Sequence, residues 1–234
     1  MQRSDSFILG ALLSFSGGLQ DAYTYNIRDR VFANAQTGNV VLMSQKFMQG
    51  NWNGGLEHLL AIISFVAGVF LSECIERKLK YGKRVHWRQI VLLVELLLLF
   101  IVGLIPRGYA MAANMAVSFS CAMQVHAFRR LRGNSYASTM CIGNLKSGTL
   151  YLARFAGNRS MRDLNTAFQY YAIIAIFALG AGVGGVLSGY LGIRTIWISC
   201  GFILMAGLIL GNEKELGSSG SKSSATPVEI QKNS

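Results

Sequence analysis

The chain has 234 residues, of which 52% are hydrophobic and only 14% are charged, whereas an average soluble domain has about 25% charged residues. The charges are confined to short segments between long uncharged stretches, which argues against a soluble globular fold and for lipid as the solvent. A net charge of +11 would also suit nucleic-acid binding. The Lys and Arg residues lie in predicted loops, however, so we interpret them as topology signals and expect no nucleic-acid partner.

Six stretches are predicted to be membrane-spanning helices, since a span needs about 20 mostly apolar residues. In chain order they are Phe7 to Tyr25, Glu57 to Cys74, Trp87 to Ile105, Tyr109 to Phe128, Ala167 to Gly189, and Thr195 to Leu210. Arg3 before the first stretch is also compatible with a signal peptide. No clean cleavage site follows, so we expect a retained span.

Two further segments have helical character but are too short and too polar to span comfortably. They are Gln36 to Phe47, with the pair Gly38-Asn39 near its start, and Ile142 to Phe155, with the pair Gly143-Asn144. Irregular backbone inside a membrane must be enclosed by protein or line a cavity. We therefore predict two re-entrant or broken Gly-Asn helices, buried among the others.

The basic residues predict the orientation of the spans. With six spans and both termini in the cytoplasm, most Lys and Arg residues fall on the cytoplasmic side, including the clusters Arg77 to Arg88 and Arg129 to Arg132. If both Gly-Asn segments crossed the membrane, this asymmetry would fall, so the positive-inside rule favours six spans over eight. We predict a multi-pass protein of the cell membrane, with cytoplasmic N- and C-termini and the lipid bilayer as a partner.

The order of the elements indicates an internal repeat. Residues 17–39 align with residues 122–144, which places Gly38-Asn39 over Gly143-Asn144, and Phe65-x-x-Gly68 aligns with Phe177-x-x-Gly180. Since each half contains three spans, the second half enters from the opposite side. The predicted fold is all-α and polytopic, with two inverted three-span repeats at 1–107 and 108–212. A disordered cytoplasmic tail is predicted at 213–234.

Two sequence stretches resemble a known family. SGGLQDAY at 16–23, followed by VFANAQTGN at 31–39, is similar to the first-half signature of the YoaK family of multispanning membrane proteins. In the second half Ala122-Met123-Gln124 and Gly143-Asn144 match, while Cys141-Ile142 stands where the first half has Gln36-Thr37. The resemblance covers about residues 7–210. It implies a small multispanning protein with a small-molecule transport role and no established substrate.

Two carboxylates in predicted spans are candidate binding residues. A charge at Asp21, in an apolar helix, is costly and needs a partner or water. It could bind a cation or carry a coupled proton, or it could cap a helix end or pair with Arg28. Glu95 lies in the very apolar stretch from Val91 to Phe100, where burial disfavours the ionised form. It could be a proton relay or a neutral strut between helices.

The remaining candidates belong to the paired motifs or lie close to them. They are Thr37, Gly38, Asn39, Gly143 and Asn144, with Asn34 and Gln36 as lesser candidates, together with Gln20, Gln124 and His126. Glycine permits close approach, and asparagine can either cap a freed helix end or bind a ligand. The two glutamines could line one cavity or form interhelical hydrogen bonds. His126 aligns with Asp21 and could titrate near neutrality.

A secondary transporter of a small molecule or ion is the function these features favour, with its site near the midplane where the two interruptions meet. The alternatives are a passive channel, or a membrane scaffold or sensor without catalytic activity. We expect no enzyme, since catalytic and P-loop motifs are missing from the sequence. We expect no cofactor and no metal, because Cys74, Cys121, Cys141 and Cys200 occur singly. A homo-oligomer is compatible with the sequence.

Overall fold

The computed structural model describes residues 6–79 and 86–220, and they are almost entirely helical. The α-helices are α1 (Phe7–Ile27), α2 (Gln36–Met48), α3 (Trp52–Leu79), α4 (Trp87–Val102), α5 (Ala110–Ala127), α6 (Cys141–Asn158), α7 (Met161–Leu191) and α8 (Ile196–Gly220). Short 3-10 turns lie at Arg107–Tyr109 and Gly192–Thr195, and strands β1 (Arg130–Leu131) and β2 (Asn134–Ser135) form a small antiparallel hairpin. The predicted all-α class and each predicted helical segment are confirmed.

Local capping explains where several helices begin. Ser6 Oγ accepts from the Leu9 N–H at 3.2 Å at the start of α1. His86 and Gln89 form a reciprocal capping box at the start of α4. Such contacts satisfy first-turn N–H groups that have no partner within the helix. The chain can therefore start these helices sharply after short polar connections.

The long helices pack as crossed pairs. Helix α1 packs across α7, and α5 packs across α3, while α4 contacts α5 and α8. Glycines allow both crossings, because a Cβ at Gly180 would overlap the carbonyl of Phe15, and one at Gly68 would overlap the carbonyl of Phe119. Small residues at a crossing let backbones approach closely. Gly184 likewise lies against the backbone of Leu19, so Gly180 and Gly184 both let α7 pack closely on α1.

Helices α2 and α6 lie at the edge of the bundle, and the prediction that they are buried among the others is wrong. Helix α2 packs on α3, and α6 packs on α7. The buried residues are Asn39 in α2, and Asn144 and Gly148 in α6. Each helix thus packs mainly on one other helix and leaves much of its surface exposed, because its sequence has one narrow inward face.

The helices expose an unusually apolar surface, and they bury many polar side chains alongside a hydrophobic core, which is uncommon in a soluble protein. Buried polar side chains include Ser16, Gln20, Glu95, Ser118 and Gln124. Large apolar side chains with half or more of their surface exposed include Ile63, Val66, Phe70, Leu97, Phe100, Leu179, Val186 and Leu208. An apolar exterior with polar side chains buried among the helices is compatible with a membrane protein.

Two stretches of the described chain are long and apolar enough to cross a membrane. They are Trp52–Leu79, with 28 residues, and Met161–Gly211, with 51 residues, which includes α7 and most of α8. Helix α4 has only 16 residues, and α1 and α5 carry inward-facing polar residues. These stretches alone provide weak support for a membrane location, and the six-span arrangement is part of the proposal below.

Two predicted features fall partly outside the described residues. Helix α8 continues to Gly220, so the segment predicted to be a disordered tail starts as helix, and the remainder, 221–234, lies outside the described chain. Arg3 and the basic positions Lys80, Lys83 and Arg84 also lie outside it.

Candidate functional site

Two loops return from the end of a long helix to the interior and meet near the middle of α1. In the first returning loop (residues 28–35), Asn34 Nδ2 donates to the carbonyl of Gly17 at 3.2 Å. The second returning loop (residues 128–140) contains the β1–β2 hairpin, and its Thr139 methyl group would be overlapped by a Cβ on Gly17. Gly17 lies halfway along Phe7–Ile27. Helices α2 and α6 therefore both begin deep in the bundle.

Two asparagines tie the first turns of α2 and α6 to the loops that precede them. Asn39 Nδ2 donates to Phe32 O at 2.7 Å, and the Phe32 N–H donates to Asn39 Oδ1 at 3.2 Å. Asn144 forms the same two hydrogen bonds with Ala137, at 2.7 and 3.3 Å. Of the two roles predicted for these asparagines, these contacts support the structural one.

A cavity of about 570 Å³ lies where the two helix starts meet. It is lined by Asp21, Asn34, Ala35, Gln36, Thr37, Ile62, Phe65, Val66, Thr139, Met140, Cys141, Ile142, Gly143 and Phe177. Neither α2 nor α6 has a side-chain cap. First-turn N–H groups lack partners within a helix, so the wall of this cavity contains two uncapped helix N-termini.

Asp21 is the carboxylate on the cavity wall. Its Oδ1 accepts from the Asn34 N–H at 2.7 Å. The predicted alternative in which Asp21 pairs with Arg28 is wrong, because the Arg28 guanidinium is turned toward α4. It donates to Tyr23 Oη and to the carbonyls of Val102, Ile105 and Pro106, at 2.7–3.0 Å. Arg28 thereby caps the end of α4, and Asp21 remains at the cavity.

Three of the ten main candidates line the cavity, namely Asp21, Thr37 and Gly143, and the lesser candidates Asn34 and Gln36 line it as well. Asn39 and Asn144 lie behind the helix starts, as described above. Gly38 lies against the ring of Phe32. The structure therefore brings the paired motifs together, but only part of each motif faces the space between them.

Three more candidates, Gln20, Gln124 and Glu95, lie away from the cavity lining. Gln20 Nε2 donates to Ser16 Oγ at 3.0 Å and to Glu95 Oε1 at 3.3 Å, and Cys121 Sγ donates to Gln20 Oε1. Gln124 Nε2 donates to Ser138 Oγ at 2.8 Å. Both glutamines thus join different elements, as the interhelical alternative predicted. Glu95 Oε2 has no hydrogen-bond partner among the described residues.

His126 belongs to a separate cluster between α3 and α5. Its Nε2 lies 3.2 Å from Glu73 Oε2 and 3.3 Å from Glu76 Oε2. The ligand atoms of these three residues lie within 4.8 Å of one another, close enough to hold a metal ion. Arg77 already pairs with Glu73, and Arg129 with Glu76. Ion pairing accounts for this arrangement, and His126 does not reach the cavity beside Asp21.

Nine of the cavity residues were not predicted as candidates, and three of these nine, Thr139, Phe65 and Phe177, could have been found from the sequence. Thr139 takes the place of Asn34 under the alignment that pairs Asn39 with Asn144, so the repeat could have identified it. Phe65 and Phe177 are paired by the separate alignment of Phe65-x-x-Gly68 with Phe177-x-x-Gly180, which has a larger offset and served only as evidence for a repeat. Internal alignment of the two halves was therefore the signal that could have found all three.

Comparison with known proteins assigns the chain to a family. Residues 9–209 match the family described as "Protein of unknown function (DUF1275)". The chain belongs to DUF1275. The match covers most of the chain, and an unknown-function family is consistent with the YoaK resemblance, which also carries no established substrate. Neither a curated protein nor a solved structure matched this DUF1275 member.

Proposed function

We propose that this DUF1275 member is a multi-pass cell-membrane protein that transports a small molecule or ion through the cavity between α2 and α6, without catalytic activity. The observation that carries the proposal is that two uncapped helix starts meet deep in the bundle beside one carboxylate, Asp21. In membrane proteins, irregular backbone at depth occurs where it is enclosed or lines a cavity, and transporters place substrate sites there. The YoaK resemblance, which implies transport, also supports it.

The proposal includes two inverted repeats, 1–107 and 108–212, with six spans and cytoplasmic termini. The packing supports it, since α1 on α7 mirrors α5 on α3, and α2 on α3 mirrors α6 on α7. Helix α2 has 13 residues, which at about 1.5 Å each amount to about 20 Å, short of the ~30 Å hydrocarbon core. With its start deep in the bundle, α2 is proposed to be re-entrant. Helix α6 has 18 residues and is proposed to be re-entrant because it occupies the matching place in the second repeat.

The test is flux through the purified protein in liposomes. A panel of amino acids, organic acids, amines, nucleobases and simple ions is offered to wild type and to Asp21→Asn. The asparagine keeps an oxygen to accept from the Asn34 N–H, so the fold is retained while the charge is lost. Asp29→Asn, the same change at an exposed loop position, is the control. We expect saturable flux of one class of compound, lost in Asp21→Asn and kept in Asp29→Asn.

Other outcomes would favour the alternatives. Flux that does not saturate would indicate a passive channel. Flux that is equal in both variants would remove the cavity from the pathway. No flux from correctly inserted protein across the whole panel would indicate a scaffold or sensor instead.

A further inference from the structure

We propose that the cavity takes a small zwitterion with an apolar side chain, the chemistry of a free, large apolar α-amino acid. This rests on the proposed function in using the same cavity as the substrate site. The ligand proposal goes beyond the transport function because it names the charge pattern and the shape of the ligand. Both follow from three parts of the cavity wall.

The first part is positive and donates hydrogen bonds. The first turns of α2 and α6 both line the cavity, through Gln36 and Thr37 on one side and Cys141, Ile142 and Gly143 on the other. Neither turn has a side-chain cap. A helix N-terminus carries about half a positive charge and presents N–H groups, which suits a carboxylate. Two such ends at one cavity offer donors to both oxygens of a carboxylate.

The second part is negative and accepts hydrogen bonds. Asp21 supplies a carboxylate to the wall. Asn34 and Thr139 line the same cavity and are 4% and 6% exposed. Asn34 Oδ1 and Thr139 Oγ1 are buried and have no hydrogen-bond partner among the described residues, and leaving a buried polar atom unpaired is unfavourable. An ammonium group in the cavity would meet the charged acceptor Asp21, beside two side chains whose buried oxygens lack partners and would become acceptors after a small side-chain rotation.

The charges of these two parts are balanced, which favours a ligand without net charge. Two helix N-termini of about half a positive charge each offset the Asp21 carboxylate when it is ionised. A ligand with a single charge would leave an uncompensated charge in a site of low dielectric constant, which is costly. A zwitterion leaves the balance unchanged and pairs each of its charges with the opposite part of the wall.

The third part is apolar. Phe65 and Phe177 line the cavity together with Ile62 and Val66, four side chains with no group to bind a charge. A volume of about 570 Å³ falls within the range of small-molecule sites. This wall matches a large apolar side chain on the ligand better than a small polar one.

The experiment uses calorimetry to compare the binding of four probes to the full-length protein in nanodiscs. Phenylalanine has both charges and the apolar side chain, 3-phenylpropionate lacks the ammonium, phenethylamine lacks the carboxylate, and glycine lacks the side chain. We expect phenylalanine to bind at least about tenfold more tightly than the other three, since a lost charged partner costs upward of about 1.5 kcal/mol. We also expect Asp21→Asn to weaken the binding of phenylalanine by a similar factor. The same substitution should leave the binding of 3-phenylpropionate unchanged or make it tighter.

A hydroxyl substitution gives a second, milder test. Thr139→Val should weaken phenylalanine binding several-fold, whereas Thr166→Val, the same change in α7 away from the cavity, should not. If 3-phenylpropionate or phenethylamine bound as tightly as phenylalanine or more tightly, the proposal of a zwitterionic ligand would be overturned. Failure of all four probes to bind the folded wild-type protein would overturn it too. Asp21-dependent flux of another class of compound would overturn the proposed ligand class but would still support the proposed transport function. Phenylalanine binding without phenylalanine flux would support the ligand and count against transport.

Discussion

At the scale of single residues, buried amide groups determine where the two short helices begin. Asn39 reproduces with one side chain the pair of hydrogen bonds that two strands would exchange, and Asn144 repeats the arrangement with Ala137. His58 Nδ1 lies 3.1 Å from Asn39 Oδ1 and adds a further contact from α3. These asparagines are positioning residues for the cavity, because they hold its walls in place without facing the space.

Replacing Asn39 by alanine should therefore lower stability more than it changes the cavity surface. Asn39→Ala leaves the N–H and carbonyl of Phe32 without partners, and we expect a loss of about 1–3 kcal/mol in the free energy of unfolding. Thermal unfolding of the purified protein in detergent measures this. Gln45→Ala, an exposed position on the same helix, is the control. Equal stability of the two variants would show that the asparagine contributes little.

The chemistry of a side chain made some site residues predictable and left others hidden. A carboxylate in an apolar helix is rare and costly, so Asp21 stood out from local sequence alone. Gln20 and Gln124 were equally visible, but whether a glutamine faces a cavity or a neighbouring helix depends on helix rotation, which local sequence does not determine. Thr139 precedes a short helix and has no unusual neighbours, so only its pairing with Asn34 distinguishes it.

At the scale of helices, glycine positions determine how closely α1 and α7 approach. A Cβ at Gly180 would overlap the Phe15 carbonyl, and the obstacle is backbone that cannot rotate away. Gly182, two residues along α7, has no atom within 4 Å of such a Cβ. The two glycines therefore have different roles within one helix, although both lie in the same run of small residues.

The pair gives a matched test of the crossing. Gly180→Ala should destabilise the protein by about 1–3 kcal/mol through overpacking. Gly182→Ala should be neutral or stabilising by up to about 1 kcal/mol, since alanine favours helix more than glycine does. Unfolding midpoints in one detergent would report the difference. Similar destabilisation by both substitutions would mean that helix propensity outweighs the crossing.

Helix existence was easier to predict than helix placement. Long apolar stretches and short polar connections are local features, and they predicted all of α1 to α8. The exposed placement of α2 and α6 was missed because it depends on how many neighbours each helix has. In lipid an exposed apolar face is no penalty, so Val40, Val41, Leu145 and Leu150 could not reveal whether they face protein or membrane.

At the scale of the whole molecule, polar side chains are buried in a core that also holds hydrophobic ones, while the exterior is largely apolar. Ser118 illustrates it, since its Oγ lies in the core within 3.0 Å of the carbonyls of both Ala33 and Ala61 and links α5 to the first returning loop and to α3. Such contacts replace the water that polar groups would find on a soluble protein. The repeat could be inferred from sequence because its elements recur in order. Its inversion depends on which segments cross the membrane, and that requires a measurement of sidedness.

Sidedness can be read from cysteine labelling in cells. Asn26→Cys, at the end of α1, and Arg130→Cys, just after α5, are exposed positions that lie within one residue of correspondence in the alignment of the two halves. Each is introduced with Cys74, Cys121, Cys141 and Cys200 replaced by alanine. If the halves are inverted, a membrane-impermeant maleimide should label Asn26→Cys on intact cells but label Arg130→Cys only after permeabilisation.

A third position separates inversion from a poorly reactive site. Gly108→Cys, exposed between α4 and α5, should share the behaviour of Asn26→Cys under the six-span arrangement. Labelling of positions 26 and 130 from the same side would rule out the inverted repeat, because two corresponding loops would then share one face of the membrane. In that arrangement the uncapped starts of α2 and α6 would approach the cavity from one side. Alternating access by rocking one half against the other would then lose its structural basis.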